Sequence, residues 1–306
     1  HILRKKSLEV RLGGNIGLPV LDISLKKNPI VIIEASSFQL FYSKFVKPNY
    51  AAILNITNDH LDWHGNMSNY TNSKLKIFIN QKKNQFSLTN DKLKKTFKKR
   101  KFLGKLIVPK EKNYKKIKNK IKNNYLKLSI NNENMNFVYT FSRLLKISKK
   151  NFIAAINSFI GLPHRYEIFL KKKNIVFIND SKATSFVSSK FALSNSKNVY
   201  WVLGGLPKKN DRISLDKIKK NIIKCYIVGK NTNFFQKQVQ NKINFSITTN
   251  FRKTLFTILK DIQSSNVKEN TILLSPAAAS YDQFKNFEKR GNEFKKLSKI
   301  YARKYI

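Results

Sequence analysis

The chain has 306 residues, 61 of them Lys or Arg against 17 Asp or Glu, for a net charge of +44. At 41% hydrophobic and 12% aromatic residues it is too apolar for a disordered polycation, and its length supports a sizeable core in about two domains. The basic excess is almost all lysine (52 Lys, nine Arg), with many Asn and Ile beside it, so the arginines that read bases and phosphates bidentately are scarce.

Cys225 is the single cysteine, which excludes an intrachain disulfide and a cysteine-based zinc site and fits a reducing, cytoplasmic setting. No apolar run approaches the ~18 residues of a membrane span. The basic start, 1–11, lacks the apolar stretch and small-residue cleavage site of a signal peptide. The first residue is His1 and not Met, which reads as a chain beginning partway into a protein.

In chain order, the glycines of G-G-N-I-G (13–17) match neither phosphate-binding fingerprint and read as a Gly-rich turn or a phosphate cradle. A β-branched run predicts a strand at 29–35. Glu34 near its end is a structural hydrogen-bonding group or a hard-metal ligand. A second strand, 50–57, runs into Asn58-Asp59-His60-Leu61-Asp62, three groups able to hold a cation or phosphate. His60 alone reads as a satisfied histidine. With Glu34 at a neighbouring strand end, a magnesium site of oxygens and one imidazole also becomes open. Helical spacing covers 70–80 and 134–147. Between them, 91–127 alternates lysines with single apolar residues, and is expected to be a solvated, variable surface segment rather than a nucleic-acid arm.

A boundary is expected near Gly161-Leu162-Pro163, dividing the chain into 1–161 and 162–306, with a strand-like pattern resuming at Tyr166. Beyond it, strands at 198–203, 221–228, 242–247 and 271–275 alternate with helices at 183–195, 252–262 and 282–302. Near-continuous apolar strands alternating with helices give an α/β fold in both halves, with parallel sheets covered on two faces. Polar or flexible residues again follow the strands: Asn179 to Thr184, where capping and anion binding are both open, then Gly204-Gly205 and Ser275-Pro276. Ligands of open parallel sheets bind beyond the carboxyl ends of strands, so these sites together predict one interdomain active site for phosphorylated ligands.

Eight strings, in order, carry a further reading. They are G-G-N-I-G-L-P (13–19), E-A-S-S-F-Q-L (34–40), L-N-I-T-N-D-H-L-D (54–62), Y-T-N-S-K-L-K-I-F (70–78), G-L-P-H-R-Y-E (161–167), I-N-D-S-K-A-T (178–184), L-G-G-L-P-K (203–208) and S-P-A-A-A-S-Y-D-Q-F-K-N-F-E-K-R-G-N-E-F (275–294). Across nearly the whole chain they resemble the Mur ligase family, and the last string is the one that marks its D-glutamate-adding branch. The resemblance implies a truncated central mononucleotide-binding ATPase domain (1–161) followed by a Rossmann-like C-terminal α/β domain (162–306). It implies a cytoplasmic, monomeric ligase of peptidoglycan precursor synthesis, dependent on ATP and magnesium. ATP would phosphorylate the carboxylate of UDP-N-acetylmuramoyl-L-alanine, and the amine of D-glutamate would attack the acyl phosphate.

Carried over by motif, Glu34 and His60 are magnesium ligands, and Lys74 is a lysine carbamylated so that it can reach the metal. Asn15, Ser36 and Gln39 resemble contacts to the uridine-nucleotide substrate. Asn134 resembles the adenine contact of an H-N-x-x-N motif whose His is replaced here by Ile130. Arg165 and Asp180 match ATP contacts, and His164 steers D-glutamate or the intermediate. Lys182, Thr184, Lys208, Ser280, Tyr281 and Phe287 align with the D-glutamate site, Lys182 also with a catalytic role.

Two rival readings are a folylpolyglutamate-type or other Mur ligase, and a basic nucleic-acid-binding protein. The positions nearest the ligase pattern are acidic or neutral, not a basic-aromatic stripe, so nucleic acid is not the expected partner. The family also carries a phosphate-binding loop, G-x-x-G-K-[ST], a short way upstream of G-G-N-I-G, after a uridine-nucleotide domain. Neither falls within residues 1–306, whether through truncation or because the chain is a non-catalytic remnant. Without that loop's backbone donors and lysine, residues 1–306 alone are expected to give no ligase turnover. Glutamate-dependent ADP release by the purified chain is the measurement, and any release above background contradicts the expectation.

Overall fold

The computed structural model describes residues 1–127, 131–209 and 211–306, and Ile130 lies outside them. The chain divides into two compact units, His1–Ile160 and Gly161–Ile306.

The first unit begins with β1 (Val10–Gly14) and β2 (Ile30–Glu34), which pair in parallel with Gly14 opposite Glu34. The glycines end β1 and are part of the strand. A Cβ on Gly14 would overlap the Glu34 carbonyl oxygen, and φ there is 107°, so a bare Cα is what lets the strands close. There follow α1 (Ser37–Tyr42), β3 (Tyr50–Ile53), α2 (Leu61–His64), α3 (Met67–Ile79), β4 (Phe86–Thr89), α4 (Asp91–Lys99) and β5 (Lys105–Ile107). Strands β3, β4 and β5 form a separate parallel sheet, joined by helical crossovers as parallel pairing requires. Thus β2 and β3 are not paired, and Glu34 is not at a hydrogen-bonded neighbour of the strand that leads to His60. Helices α5 (Glu111–Lys118), α6 (Asn124–Lys127), α7 (Asn132–Leu144) and α8 (Lys149–Asn157) complete the unit.

The lysine-rich segment is exposed along most of its residues, but it also sends single apolar side chains into the core, which the sequence does not predict. Phe97 of α4 packs with Ala51, Ile53, Leu75 and Phe78, while Tyr114, Ile117 and Ile121 pack with Val10, Met135 and Phe152. Tyr114 and Ile117 share one face of α5, and Ile121 follows just beyond the helix end. Exposed lysines fill most positions between, which dilutes the periodicity in sequence without removing the buried face.

The second unit contains β6 (Glu167–Lys172), β7 (Ile175–Asn179), α9 (Phe186–Ser194), β8 (Val199–Leu203), β9 (Ile222–Val228), α10 (Thr232–Val239), β10 (Phe245–Thr249), α11 (Phe251–Gln263), β11 (Asn270–Leu274) and α12 (Phe287–Tyr305). The strands form one sheet in the order β10-β9-β8-β11-β7-β6, parallel except for β6, which returns antiparallel on β7. Phe186, Leu193, Phe235 and Val239 cover one face; Phe251, Leu255, Ile258, Phe294 and Leu297 cover the other. All five residues of β8, V-Y-W-V-L, are buried, as a strand sandwiched between two helical layers must be. The α/β class therefore holds in both units.

Element ends deviate for local reasons. Helix α12 starts at Phe287 rather than 282 because the Asn286 side chain caps it, accepting from Lys289 N at 2.8 Å. Helix α9 starts at Phe186 because Ser185 is its cap, accepting from Ser188 N at 3.3 Å. Strands β1, β4 and β5, five residues or shorter, have no long apolar run to announce them.

Phe97→Ala is expected to cost the first unit about 3–5 kcal/mol by leaving a cavity between α4 and the β3–β5 sheet. Urea unfolding followed at Trp63 measures it, and a cost near zero would return 91–127 to a surface role.

Candidate functional site

In the first unit, Glu34 is exposed at the end of β2, and its Oε1 accepts from Asn15 Nδ2 at 3.2 Å while its carbonyl accepts the Asn15 N–H at 2.7 Å. Two residues on, Ser36 and Gln39 form a capping box for α1. Ser36 Oγ accepts the Gln39 N–H at 3.2 Å, and Gln39 Oε1 accepts the Ser36 N–H at 2.9 Å. S-S-F-Q is thus a helix-start signal, and it engages two of the residues that the resemblance gives to the substrate.

His60 has left-handed backbone (φ 53°) at the start of α2, and its Nε2 lies 3.6 Å from Asp59 Oδ2. Its ring packs edge-on against Phe38 of α1 at 4.9 Å, so α1 brings the segment after Glu34 beside His60. Lys74, half-buried on α3, lies with Nζ 5.1 Å from the Tyr70 ring centre, and Tyr70 in turn meets the His60 ring at 6.3 Å. Burial lowers the Lys74 pKa, with the Asp59 carboxylate opposing, which enlarges the neutral-amine fraction able to react with carbon dioxide. Behind these groups sits His64, buried and outside every motif that carries the resemblance. Its Nε2 is 3.0 Å from Ser37 Oγ and its Nδ1 3.5 Å from Ser73 Oγ, linking the start of α1 to the residue before Lys74. Asn134 is exposed in the first turn of α7.

In the second unit the polar groups are buried instead. Asp180 follows β7, with Oδ1 accepting from Tyr166 N at 3.0 Å and Oδ2 from Ser275 Oγ at 2.9 Å. Burial pushes its carboxyl up to about 6, against the pull of these two donors and of Arg165, which is itself exposed. The Ser275 carbonyl accepts Trp201 Nε1–H at 2.7 Å, tying the end of β11 to β8. Lys182 lies over the Phe287 ring, Nζ to centroid 3.8 Å, and its backbone N–H donates to His164 O at 3.0 Å. Since Ser185 is the helix cap, Lys182 and Thr184 are not used for capping. Leu206 and Ala279 exchange backbone hydrogen bonds of 2.8 and 3.0 Å, which joins the loop bearing Lys208 to the loop bearing Ser280. Ser280 is buried, while Tyr281 and Lys208 are exposed. His164, Asp180, Lys182 and Phe287 thus share one loop cluster beyond β7, β8 and β11.

Arg290 holds that cluster together. Its Nε donates to Ser181 Oγ at 3.0 Å, and its Nη2 to the carbonyls of Ser181 at 2.8 Å and Ala278 at 2.9 Å. Only 2% of the residue is exposed, and Nη1 has no hydrogen-bond partner among the described residues. Its signal in sequence is a cation in the first turn of a helix, against the dipole, where tertiary partners must hold it.

A family model described as the Mur ligase middle domain matches residues 12–159. The chain is 34% identical over 98% of its length to the UDP-N-acetylmuramoylalanine--D-glutamate ligase of Rickettsia felis, covering 71% of that protein. It is 32% identical to the ligase of the same name from a Wolbachia of Brugia malayi, with 96% of this chain and 70% of that protein covered. Among solved structures it is similar to the MurF ligase of Thermotoga maritima in complex with ADP (TM-score 0.66, 14% identity, 100% and 76% covered). It is similar also to a bifunctional folylpolyglutamate synthase/dihydrofolate synthase of Yersinia pestis (TM-score 0.57, 12% identity, 100% and 84% covered). At these identities the structures speak for the fold alone.

The raised Asp180 pKa makes a stability prediction. Because the folded value lies above the unfolded 3.8, ionisation opposes the fold; the contribution is full below about pH 4 and lost as pH rises through about 6. A difference of about two units corresponds to about 3 kcal/mol. Asp180→Asn keeps an acceptor for Tyr166 N–H and can donate to Ser275 Oγ. It is expected to stabilise the second unit at pH 7.5 by up to about 3 kcal/mol, with little change at pH 4. Urea unfolding followed at Trp201 at both pH values checks this, and an unaltered pH dependence contradicts it.

Proposed function

The chain belongs to the Mur ligase family, and from that footing we propose that it serves a ligase that adds D-glutamate to UDP-N-acetylmuramoyl-L-alanine at the expense of ATP, as a monomer in the cytoplasm, with residues 1–306 alone not sufficient for turnover. No helix of the described residues is long and apolar enough to cross a membrane. The observation that carries the reading is the loop cluster of the second unit. A cation, Lys182, and a buried hydroxyl, Ser280, are held beyond the strand ends by Arg290 and the Leu206–Ala279 bridge, a donor set suited to a dicarboxylate.

In this proposal the substrate carboxylate oxygen attacks the γ-phosphorus of ATP, the bond to the β-bridging oxygen breaks, and ADP leaves an acyl phosphate. The D-glutamate amine then forms the C–N bond, and the tetrahedral intermediate releases inorganic phosphate and a proton. Arg165 and Asp180 contact ATP, and Asn134 the adenine. Lys182, Thr184, Lys208, Ser280, Tyr281 and Phe287 position D-glutamate, with His164 beside them. Asn15, Ser36 and Gln39 face the uridine nucleotide. Since Gln39 Oε1 is taken by the capping box, its Nε2 is the atom left to donate. Holding the reactants in register removes much of the entropic barrier.

The donor chemistry near His60 suits a hard divalent cation once Lys74 is counted. Among the described residues no three His, Cys, Asp or Glu side chains could hold a metal ion, and in this proposal a Lys74 carbamate would join Glu34 and His60 as the third donor. Bound there, magnesium would neutralise charge on the phosphate oxygens.

With ADP present, D-glutamate is expected to stabilise the chain by about 2.7 kcal/mol at a hundredfold excess over its Kd, read by unfolding at Trp201. L-Glutamate and D-alanine are expected to do far less, and Lys182→Met to remove the effect. Equal stabilisation by L-glutamate, or none by any amino acid, would contradict D-glutamate as the ligand.

A further inference from the structure

His164 occupies a tight turn before β6, with left-handed backbone (φ 63°) and 6% of the residue exposed. Its ring packs edge-on to Phe287 at 5.8 Å and lies over Gly291, where any Cβ would overlap Nδ1. Nδ1 is 2.9 Å from Asn179 Nδ2. Which ring nitrogen carries the proton follows from the groups on the far side of that amide.

Asn179 Oδ1 accepts the Ser181 backbone N–H at 3.2 Å, a donor that cannot reverse. Asn179 Nδ2 donates to Glu167 Oε2 at 3.0 Å, and the same oxygen accepts the His164 N–H at 2.9 Å. Glu167 Oε1 takes the Lys295 ammonium at 2.6 Å. Burial opposes ionisation of Glu167, but Lys295, the His164 N–H and Asn179 outweigh it and hold the carboxyl below its usual range. Both ends therefore fix the amide: oxygen toward Ser181, nitrogen toward Glu167 and the ring. An N–H pointing at Nδ1 requires a lone pair there. Burial first, and Lys295 with it, lower the ring pKa against the carboxylates of Glu167 and Glu288 and the Asn179 hydrogen bond, which favours the neutral ring. A neutral imidazole with its lone pair on Nδ1 has its proton on Nε2.

We infer that Glu167, Asn179 and Lys295 are positioning residues that hold His164 as the Nε2–H tautomer, so that its other edge offers an oxyanion a donor and no base. Nε2 makes no hydrogen bond among the described residues. The tautomer stands on these contacts alone; that the oxyanion is a carboxylate or phosphate oxygen rests on the ligase reading. In that reaction His164 orients and neutralises, and the proton lost by the amine goes elsewhere.

The chain has four histidines, so ¹⁵N-histidine labelling gives four ring patterns, and His164→Gln identifies one by its loss. Long-range ¹H–¹⁵N spectra of the full chain at pH 7.5 are expected to show His164 with Nδ1 in the unprotonated range and Nε2 protonated. Asn179→Asp sets an acceptor against Nδ1 and is expected to move the proton to Nδ1, with the other three patterns unchanged. If that variant does not fold, Glu167→Gln is expected to give a mixture of tautomers, because the amide is no longer fixed. An Nδ1–H or doubly protonated ring in the parent protein overturns the inference, as does a folded Asn179→Asp protein that keeps the Nε2–H pattern. An Nε2–H ring without D-glutamate binding would leave this inference standing and count only against the ligand proposed above.

Discussion

Parallel pairing of β7, β11 and β8 determines where the second unit can keep polar groups. Helices cover both faces of these strands, so along their middle the side chains are apolar, and polar ones such as Asn179 and Asn270 fall at strand ends. Parallel direction sends the residue after each strand to the same edge. Polar atoms collect there, and because they are still buried they must satisfy one another. Asp180 takes Ser275 and the Tyr166 N–H, the Ser275 carbonyl takes Trp201, and Arg290 takes two carbonyls and a hydroxyl. The loops that would bind substrate are thereby fixed before any ligand arrives. What the network leaves over is a guanidinium nitrogen without an acceptor among the described residues and a carboxyl whose charge is disfavoured, the kinds of group an incoming anion or hydroxyl can satisfy.

The first unit solves a different problem. Glu34 and His60 are exposed, and Lys74 is half-buried beside Asp59 and Tyr70. Exposed donors have no strong preference among ligands and gain one only when a partner brings its own charge. Structural cohesion comes from behind, where His64 sits between Ser37 and Ser73 and aromatic rings surround it. The +44 charge enters this picture weakly. Most lysines are solvated, and few do individual work, such as Lys295 against Glu167 or Lys224 against Asp261.

What could be read from sequence was what short-range pattern encodes. The continuous apolar runs of β8, β9 and β11 gave the sheet, and helical spacing gave α3, α7 and α11. Three features were not legible, for three physical reasons. Strands β1, β4 and β5 hold only two apolar residues each beside Arg, Gly, Ser, Thr or Lys, so no apolar run rises above background. The buried residues Tyr114, Ile117 and Ile121 stand singly among lysines. Helix starts at Ser185 and Asn286 depend on single capping side chains among many Ser and Asn. For the site, residues just past strand ends were legible, because topology alone places them. Lys74 was one lysine in 52, distinguishable only by its motif. The contacts around His164 join residues up to 128 positions apart, as Glu167 to Lys295, which no local pattern reports.

The claim that organises these observations is that the chain serves a ligase specific for D-glutamate. The direct measurement is incorporation of radiolabelled D-glutamate into UDP-N-acetylmuramoyl-L-alanine by the protein expressed from its complete reading frame. The account predicts a labelled UDP-sugar product that requires ATP, releases ADP and phosphate in equal amounts, and is lost with Lys182→Met. Incorporation of L-glutamate, of another amino acid or of a dipeptide in place of D-glutamate, or no ATP-dependent product from the complete protein, would contradict it.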